Sequence, residues 1–312
     1  MSRLDERVVN LGRASGEAPR LSVLTPFHRY DPSALIRRLA GAPAGVELVL
    51  LDDGSASAAL LASVIAAAEI VGAPVRVVVW ANNRGRAAAR NRLLEEARGD
   101  YVLFLDADMI PDADDFLDRW LMLIEDKAPV IAFGGLSLRQ ATATPETALH
   151  YNLFSASDCR PAEGRAVSPS QFTASANLLV QKAFIAAHPF DQSFSGWGFE
   201  DTDWALSAAR EHEILHIDNP ATHAGLDDVD TLMRKSAEAG PNFARLAQKH
   251  PHAVARFGGY RIARALKALP AREKLREVCA WLARDPAGAA PMAIRRAALK
   301  LYRASHYAEH LA

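Results

Sequence analysis

Cysteine is nearly absent: Cys159 and Cys279 are the two in 312 residues. They lie far apart, so the chain is not organised by a disulfide framework or a cysteine-ligated metal centre. Long apolar runs are missing as well. No stretch approaches the roughly 18 residues that cross a bilayer, and Met1-Ser-Arg-Leu-Asp-Glu-Arg7 has no apolar core of a secretory signal. The expected setting is therefore a reducing cytoplasm. Internal repeats and low-complexity tracts are absent too. Apolar residues make up 50% and charged residues 23%, so a packed globular core is expected rather than a disordered or fibrous chain.

Net charge is only −1, but the charges are unevenly placed. Residues 241–312 hold 14 Lys+Arg against 4 Asp+Glu, a net +10. The first 240 hold 22 against 33, a net −11, and together they give the chain's −1. A basic appendage on an acidic body is the expected organisation.

The most informative stretch is Tyr101-Val-Leu-Phe-Leu-Asp-Ala-Asp-Met109. A short apolar run between Gly99 and Pro111 has the length and flanks of a buried parallel strand. It ends in Asp106 and Asp108. If the backbone stays extended, both point to one side at the strand's C-terminal edge, where open α/β sheets bind ligands. Two hard oxygen donors there suit a divalent cation, Mn²⁺ or Mg²⁺, that holds phosphates.

Three strand–helix units precede it. Leu21–Thr25 is a strand closed by Pro26, and Asp31-Pro32 opens a helix ending near Gly41. Val46–Leu51 is a strand ending in Asp52-Asp53-Gly54-Ser55, followed by a helix from Ala58 to Val71. Val75–Val79 is a strand, and after Asn82-Asn83-Arg84-Gly85 a helix runs from Arg86 to Arg98. The alternation predicts a doubly wound, mostly parallel α/β sheet. Beyond it the pattern predicts a helix over Asp115–Ile124, a strand over Val130–Phe133 and a helix over Thr147–Ser157. Arg160–Gln171, rich in Pro, Gly and Ser, reads as a mobile loop near the site. A strand over Asn177–Val180, a helix over Lys182–Ala187, a helix ending near Glu211 and a strand over Ile214–Ile217 complete the body. The expected domains are a flexible N-terminus (1–19), a catalytic body (20–240) and a basic helical extension (241–312).

Taken in order, Thr25-Pro26, Leu51-Asp52-Asp53-Gly54-Ser55, Asn83-Arg84-Gly85 with Ala89-Arg90-Asn91, and Phe104-Leu-Asp106-Ala-Asp108 resemble a family 2 glycosyltransferase of the GT-A fold. Gly196-Trp197-Gly198-Phe199-Glu200-Asp201 is similar to the acceptor motif of the galactosyltransferase-like branch. The resemblance spans about residues 20–230. It implies a Rossmann-like GT-A sheet with flanking helices, here with a C-terminal helical appendage. It also implies a nucleotide-sugar donor, probed by Thr25, Pro26, Asp53, Arg84, Arg90 and Asp106. By the same resemblance Asp53 meets the base, Asp106 the ribose, and Arg90 the Asp side chains or phosphate. Asp108 ligates the cation, and His223, after Pro220, stands where the family has a further metal ligand.

The chemistry needs such groups. A nucleoside diphosphate gains negative charge as the glycosidic bond breaks, and a bound cation stabilises it. An inverting transferase needs a base for the acceptor hydroxyl, for which Asp201 is the candidate. Glu200 is expected to bind acceptor hydroxyls and Trp197 to offer a flat face to a sugar ring. Asp203 is left out, because helical spacing turns it away from Asp201. The expected acceptor is a glycan or lipid-linked sugar, and the donor is expected to be UDP-linked hexose or N-acetylhexosamine.

In the basic extension, Phe243, Leu246, Ile262, Leu266, Leu269, Leu275, Val278 and Leu282 recur at helical spacing, and Arg295, Arg296, Lys300 and Arg303 ride with Ile294, Leu299 and Leu301. Amphipathic helices with a basic face suit an anionic membrane surface, peripheral at its inner face. Nucleic acid is not an expected partner: no binding module or interleaved aromatics are present. The rival readings are a nucleotidyltransferase and a nucleotide-sugar-binding subunit without turnover. The first would show a glycine-rich basic signature where this chain has Thr25-Pro-Phe-His28. The intact Asp106, Asp108 and Asp201 argue against the second.

Overall fold

A computed structural model describes residues 5–12 and 18–312. The first half runs β1 (Glu6–Leu11), β2 (Leu21–Phe27), α1 (Ser33–Arg38), β3 (Val46–Asp52), α2 (Ala58–Glu69), β4 (Val75–Trp80), α3 (Arg86–Glu96), β5 (Tyr101–Leu105), β6 (Met109–Pro111), α4 (Phe116–Lys127), β7 (Ile131–Phe133) and β8 (Leu136–Ser137). Then come α5 (Ala148–Ser157), α6 (Ala162–Ala166), β9 (Asn177–Gln181), α7 (Lys182–Ala187), α8 (Glu200–Ala208), β10 (Ile214–His216) and β11 (Ala221–His223). The helical end comprises α9 (Val229–Lys249), α10 (Pro251–Val254), α11 (Gly258–Lys267), α12 (Arg272–Arg284) and α13 (Met292–His310).

The large sheet has the order β1-β4-β3-β2-β5-β9-β7-β10. Strands β2 to β5 pair in parallel, as the βαβ pattern dictates, while β9 is antiparallel to both of its neighbours. Every residue of β3 and β5 is buried. Their near-continuous apolar runs follow from helices covering both faces. One layer gathers Val23, Leu48, Val64, Val77 and Leu103; the other gathers Leu24, Val49, Ala89, Leu93 and Phe104. The order in which strands are added reverses between β2 and β5, which run parallel, so their C-terminal ends flank a topological switch point, the natural crevice for a ligand.

Three expectations need correction. Glu6–Leu11, taken as frayed, is an edge strand antiparallel to β4. Trp80 Nε1 donates to Glu6 Oε2 at 2.7 Å, and Arg92 donates to both of its oxygens, at 2.6 and 3.0 Å. Residues 1–4 and 13–17 lie outside the described residues.

The boundary drawn at 240 falls inside α9, which runs through Pro241. Two apolar clusters cross it. One joins Phe194 and Leu206 to Ala239, Phe243, Leu266 and Tyr307; the other joins Leu149 to Leu232, Cys279 and Leu299. The extension is thus packed onto the body rather than hung from it.

Arg160–Gln171, expected to be mobile, holds α6 and a 3-10 turn over Pro169–Phe172. Buried Arg165 fastens it, donating to His216 Nδ1 at 3.1 Å, to the Ile217 carbonyl at 2.6 Å and to the Arg160 carbonyl. No described helix is long and apolar enough to cross a membrane.

Candidate active site

The backbone does not stay extended through Asp106-Ala-Asp108. The Met109 amide donates to the Asp106 carbonyl at 3.0 Å, closing a turn between β5 and β6. Both carboxylates still face the crevice, each about a quarter exposed, at 24% and 25%. A small second sheet brings in the distant partner: β11 pairs antiparallel with β6, setting His223 opposite Met109. His223 Nε2 consequently lies 3.2 Å from Asp108 Oδ2. Burial alone would raise the Asp108 carboxyl, but the bond and charge of His223 hold it below the usual range. The imidazole responds in kind: burial depresses it, Asp108 overrides that, and its pKa is raised. Phe154 stacks on the ring at 4.8 Å. Gly225 completes the corner, since a Cβ there would overlap the Asp108 carboxylate.

Among the described residues no cluster of three or more His, Cys, Asp or Glu side chains forms a cation cage. The oxygen of Asp108 and nitrogen of His223 nevertheless suit a Mn²⁺-type ion that takes its remaining ligands from phosphates and water. His223 Nδ1 is buried with no partner, and Nε2, directed at Asp108, is the nitrogen that would share a cation with that carboxylate once its own proton is lost.

Arg90 links the two sides of the crevice. It is 1% exposed. One terminal nitrogen donates to Asp106 Oδ1 at 2.8 Å and the other to Glu200 Oε1 at 3.0 Å. Of the roles expected for Arg90, contact with Asp side chains is the one observed. Its nearby carboxylates raise its pKa against the opposing effect of burial. Glu200 does not have the exposure expected of an acceptor ligand. Its side chain is 4% exposed and held by Arg90, because it occupies the first turn of α8 facing inward.

Asp201 follows on the same turn. Its Oδ1 accepts the Thr202 amide at 2.7 Å. Burial, then the like charge of Glu200, raises its pKa to about 6, against the pull of Arg90. Asp203 is committed elsewhere, bonded by His250 Nε2 and Lys249 Nζ, each at 2.8 Å.

Other expected donor residues are placed differently. Thr25 is fully buried, on the same strand face as Val23 and Phe27, and its hydroxyl has no partner. Pro26 lies beside it, half-buried at the end of β2. The Asp53 carboxylate is spent on its own neighbourhood. It accepts the Arg84 amide at 2.6 Å, the Gly85 amide at 2.9 Å and Asn83 Nδ2 at 3.0 Å. It thereby ties the β3 loop to the start of α3, and burial raises its pKa.

The Arg84 guanidinium stacks on Trp80, 4.5 Å from the ring centroid. Arg86, one turn before Arg90, takes the place expected of Arg84. It is half exposed, 3.9 Å from Glu200, and close enough to Asp108 and Asp201 to act on both by charge. Tyr30 also joins the site, since its hydroxyl is raised first by burial and then by Asp108. Arg86 opens the same amide-rich helix start that the sequence marks with Arg84 and Arg90, whereas nothing in the sequence flagged Tyr30.

The acceptor-side loop is strained and pinned. Gly196, Gly198 and Phe199 have φ of 74°, 92° and 73°. This left-handed run is affordable at the glycines and costs about 1 kcal/mol or more at Phe199. Asn242 of α9 holds it, its Nδ2 donating to the carbonyls of Ser195, Trp197 and Gly198 at 2.9, 3.3 and 3.0 Å. Phe199 packs on Phe243 and Tyr307, which stack on each other at 4.2 Å. Trp197 is left half-buried, with Lys235 Nζ 5.9 Å from its ring.

A family model described as Glycosyl transferase family 2 matches residues 22–163. TuaG of Bacillus subtilis (strain 168), a glycosyltransferase provisionally assigned to teichuronic acid biosynthesis, is 30% identical over 130 residues, which cover 41% of this chain and 50% of TuaG. Among solved structures, the mannosyltransferase PcManGT from Pyrobaculum calidifontis superposes with a TM-score of 0.57 at 18% identity, over 93% of this chain and 86% of its own. Residues 1–349 of S. aureus TarS superpose at 0.50 with 16% identity, over 91% and 89%. The match thus spans about half the length of the curated relative, and the likeness to the solved structures is one of fold.

Proposed function

We propose, from the premise that residues 22–163 of this chain are a glycosyl transferase family 2 domain, that the whole protein is a metal-dependent, inverting glycosyltransferase. It moves a hexose or N-acetylhexosamine from a nucleotide sugar, UDP-linked, to a hydroxyl of a glycan or lipid-linked sugar. The observation that carries this reading is the Arg90 bridge. One guanidinium joins the donor-side Asp106 to Glu200 of the acceptor motif, so both halves of a transfer site share one crevice. The similar structures support the donor class: PcManGT was solved with GDP-Man and Mn²⁺, and TarS with UDP-GlcNAc.

Asp108 and His223 would hold the divalent cation, whose chemistry is to stabilise the charge that develops on the diphosphate. Arg86 lends a second positive charge from the start of α3, where helix amides already favour anions. Arg90 positions Asp106 and Glu200 rather than touching substrate. Asp201 accepts the acceptor hydroxyl's proton as that oxygen attacks the anomeric carbon. The bond from this carbon to the diphosphate breaks on the opposite side, and its electron pair leaves with the nucleotide. A carboxyl raised to about 6 is matched to this task near neutrality. The Trp197 ring stacks against the acceptor sugar.

Membrane contact at the inner leaflet belongs to the same proposal. Val278, Trp281 and Ile294 stay 55%, 58% and 47% exposed on α12 and α13, beside Arg295, Arg296 and Lys300. Sedimentation with anionic vesicles tests this, and binding that survives conversion of Trp281 to Ala with Arg295 and Arg296 to Glu would sink it.

The transferase reading is tested by nucleotide release from a panel of nucleotide sugars with Mn²⁺, Mg²⁺ or EDTA. Release from one UDP-sugar, dependent on metal and reduced about 10³-fold by Asp108→Ala, is the expected result. If neither UDP nor GDP binds with metal present, the site assignment is wrong.

A further inference from the structure

Between the Asp108–His223 corner and Trp197 runs a strip of side chains that the transfer chemistry does not use. His150 of α5 lies 5.4 Å from the His223 ring and accepts the Asp227 amide through Nδ1 at 2.8 Å. The Asp227 carboxylate takes Lys235 Nζ at 2.6 Å, and Lys235 overlooks Trp197. Arg303 of α13 arrives from the far end of the chain. Its Nε donates to Ser236 Oγ at 3.4 Å, the residue after Lys235. It is near enough to His150 and Asp158 to act on both by charge.

Arg303 lacks the carboxylate partner that two arginines packed in the same helical layer have, and its contacts bring it to the strip beside His150. Arg276 is paired with Glu309 at 2.6 Å and Arg284 with Asp230 at 2.8 Å. Arg303 is half-buried, yet no carboxylate among the described residues pairs with it, and the fork of its terminal nitrogens has no hydrogen-bond partner there. A half-desolvated guanidinium with an empty fork is matched to a planar or tetrahedral oxyanion. Lys235 stands on the side of Trp197 and, although paired with Asp227 at 2.6 Å, keeps two further N–H donors.

We propose that Arg303 and Lys235 form an oxyanion subsite on the acceptor side, so that the acceptor carries a phosphate or carboxylate next to the sugar stacked on Trp197. This rests on the transferase reading above. It gives the C-terminal helix a direct part in substrate choice, and it makes a neutral glycan a poor acceptor.

The test uses the full chain saturated with UDP and Mn²⁺, titrated with glucose 1-phosphate, glucuronate and methyl glucoside. Wild type is expected to bind one or both anionic probes about tenfold tighter than the neutral one, the worth of a charge-assisted hydrogen bond. Which anion wins separates a phosphate from a carboxylate acceptor. Arg303→Gln should erase that preference, Arg303→Lys should recover part of it, and Lys235→Gln should weaken it by a smaller factor. Methyl glucoside binding and UDP affinity should stay within about twofold in all variants. Equal binding of the three probes by wild type, or an anion preference unchanged in both Arg303→Gln and Lys235→Gln, would overturn the subsite. Failure of UDP to bind at all would instead overturn the transferase reading.

Discussion

The two walls of the crevice are built on different principles. The donor wall is made of strand ends: Asp53, Asp106 and the start of α3 stand where parallel strands stop, each placed by elements within about thirty residues of it. The acceptor wall is a loop with three left-handed residues, held open by Asn242 and backed by Phe243 and Tyr307 from the helical end. The donor wall gets its shape from regular structure, whereas the acceptor wall borrows it from helices that contain no catalytic side chain. On the proposed reading, repacking α9 and α13 would alter the acceptor wall while leaving the donor wall intact. Arg90 is the joint at which the two walls meet.

The largest effect should come from the chemistry itself. Asp201→Asn is expected to lower kcat by about 10² to 10⁴-fold with UDP affinity unchanged, measured by steady-state transfer and nucleotide titration. In the wild type, kcat/KM should climb as pH rises through about 6, because the base must lose its proton. Stability runs the other way. A carboxyl raised in the folded state favours folding at low pH, and that contribution is lost as pH rises through the same value. A melting series on wild type and Asp201→Asn should show the difference, and a flat activity profile through this range would remove Asp201 as the base.

Cutting the joint comes next. Arg90→Met leaves Glu200 buried without its partner, and an uncompensated buried charge costs about 3 to 5 kcal/mol. Chemical denaturation should register that loss, with donor and acceptor binding both impaired. Asn242→Ala sharpens the contrast between the walls. It removes three loop contacts and should cost about 1 to 2 kcal/mol, raising acceptor KM several-fold while leaving UDP affinity alone. Arg84→Ala is the smallest change. It forfeits a cation–π contact worth about 0.5 to 1 kcal/mol and should leave UDP affinity unaltered, since the side chain lies on Trp80.

Periodicity and turn chemistry made the strands, the helices and their order readable, and with them the rim that gathers Asp53, Asp106 and Asp108. The roles of single side chains came instead from the resemblance, and several of these stand differently in the structure. Thr25 is buried within β2 and Arg84 lies on Trp80, contacts that position in the chain does not reveal. The N-terminal strand was missed because a strand at a sheet edge is defined by its partner, here β4 and the Glu6 contacts with Trp80 and Arg92. The boundary at Pro241 failed for a related reason: packing from two clusters carries α9 through a residue that weakens helices locally.

By itself, then, the sequence determined the doubly wound sheet, the switch-point crevice and the carboxylates at its edge. These follow from hydrophobic period and short-range turns, which act over a few residues. Tertiary structure alone decided that His223 meets Asp108, that Arg90 joins Asp106 to Glu200, that Glu200 is buried, and that Arg303 reaches Ser236 beside Lys235. Such pairings join residues far apart in the chain, and the packing of whole layers, rather than any local preference, fixes which side chains end up adjacent.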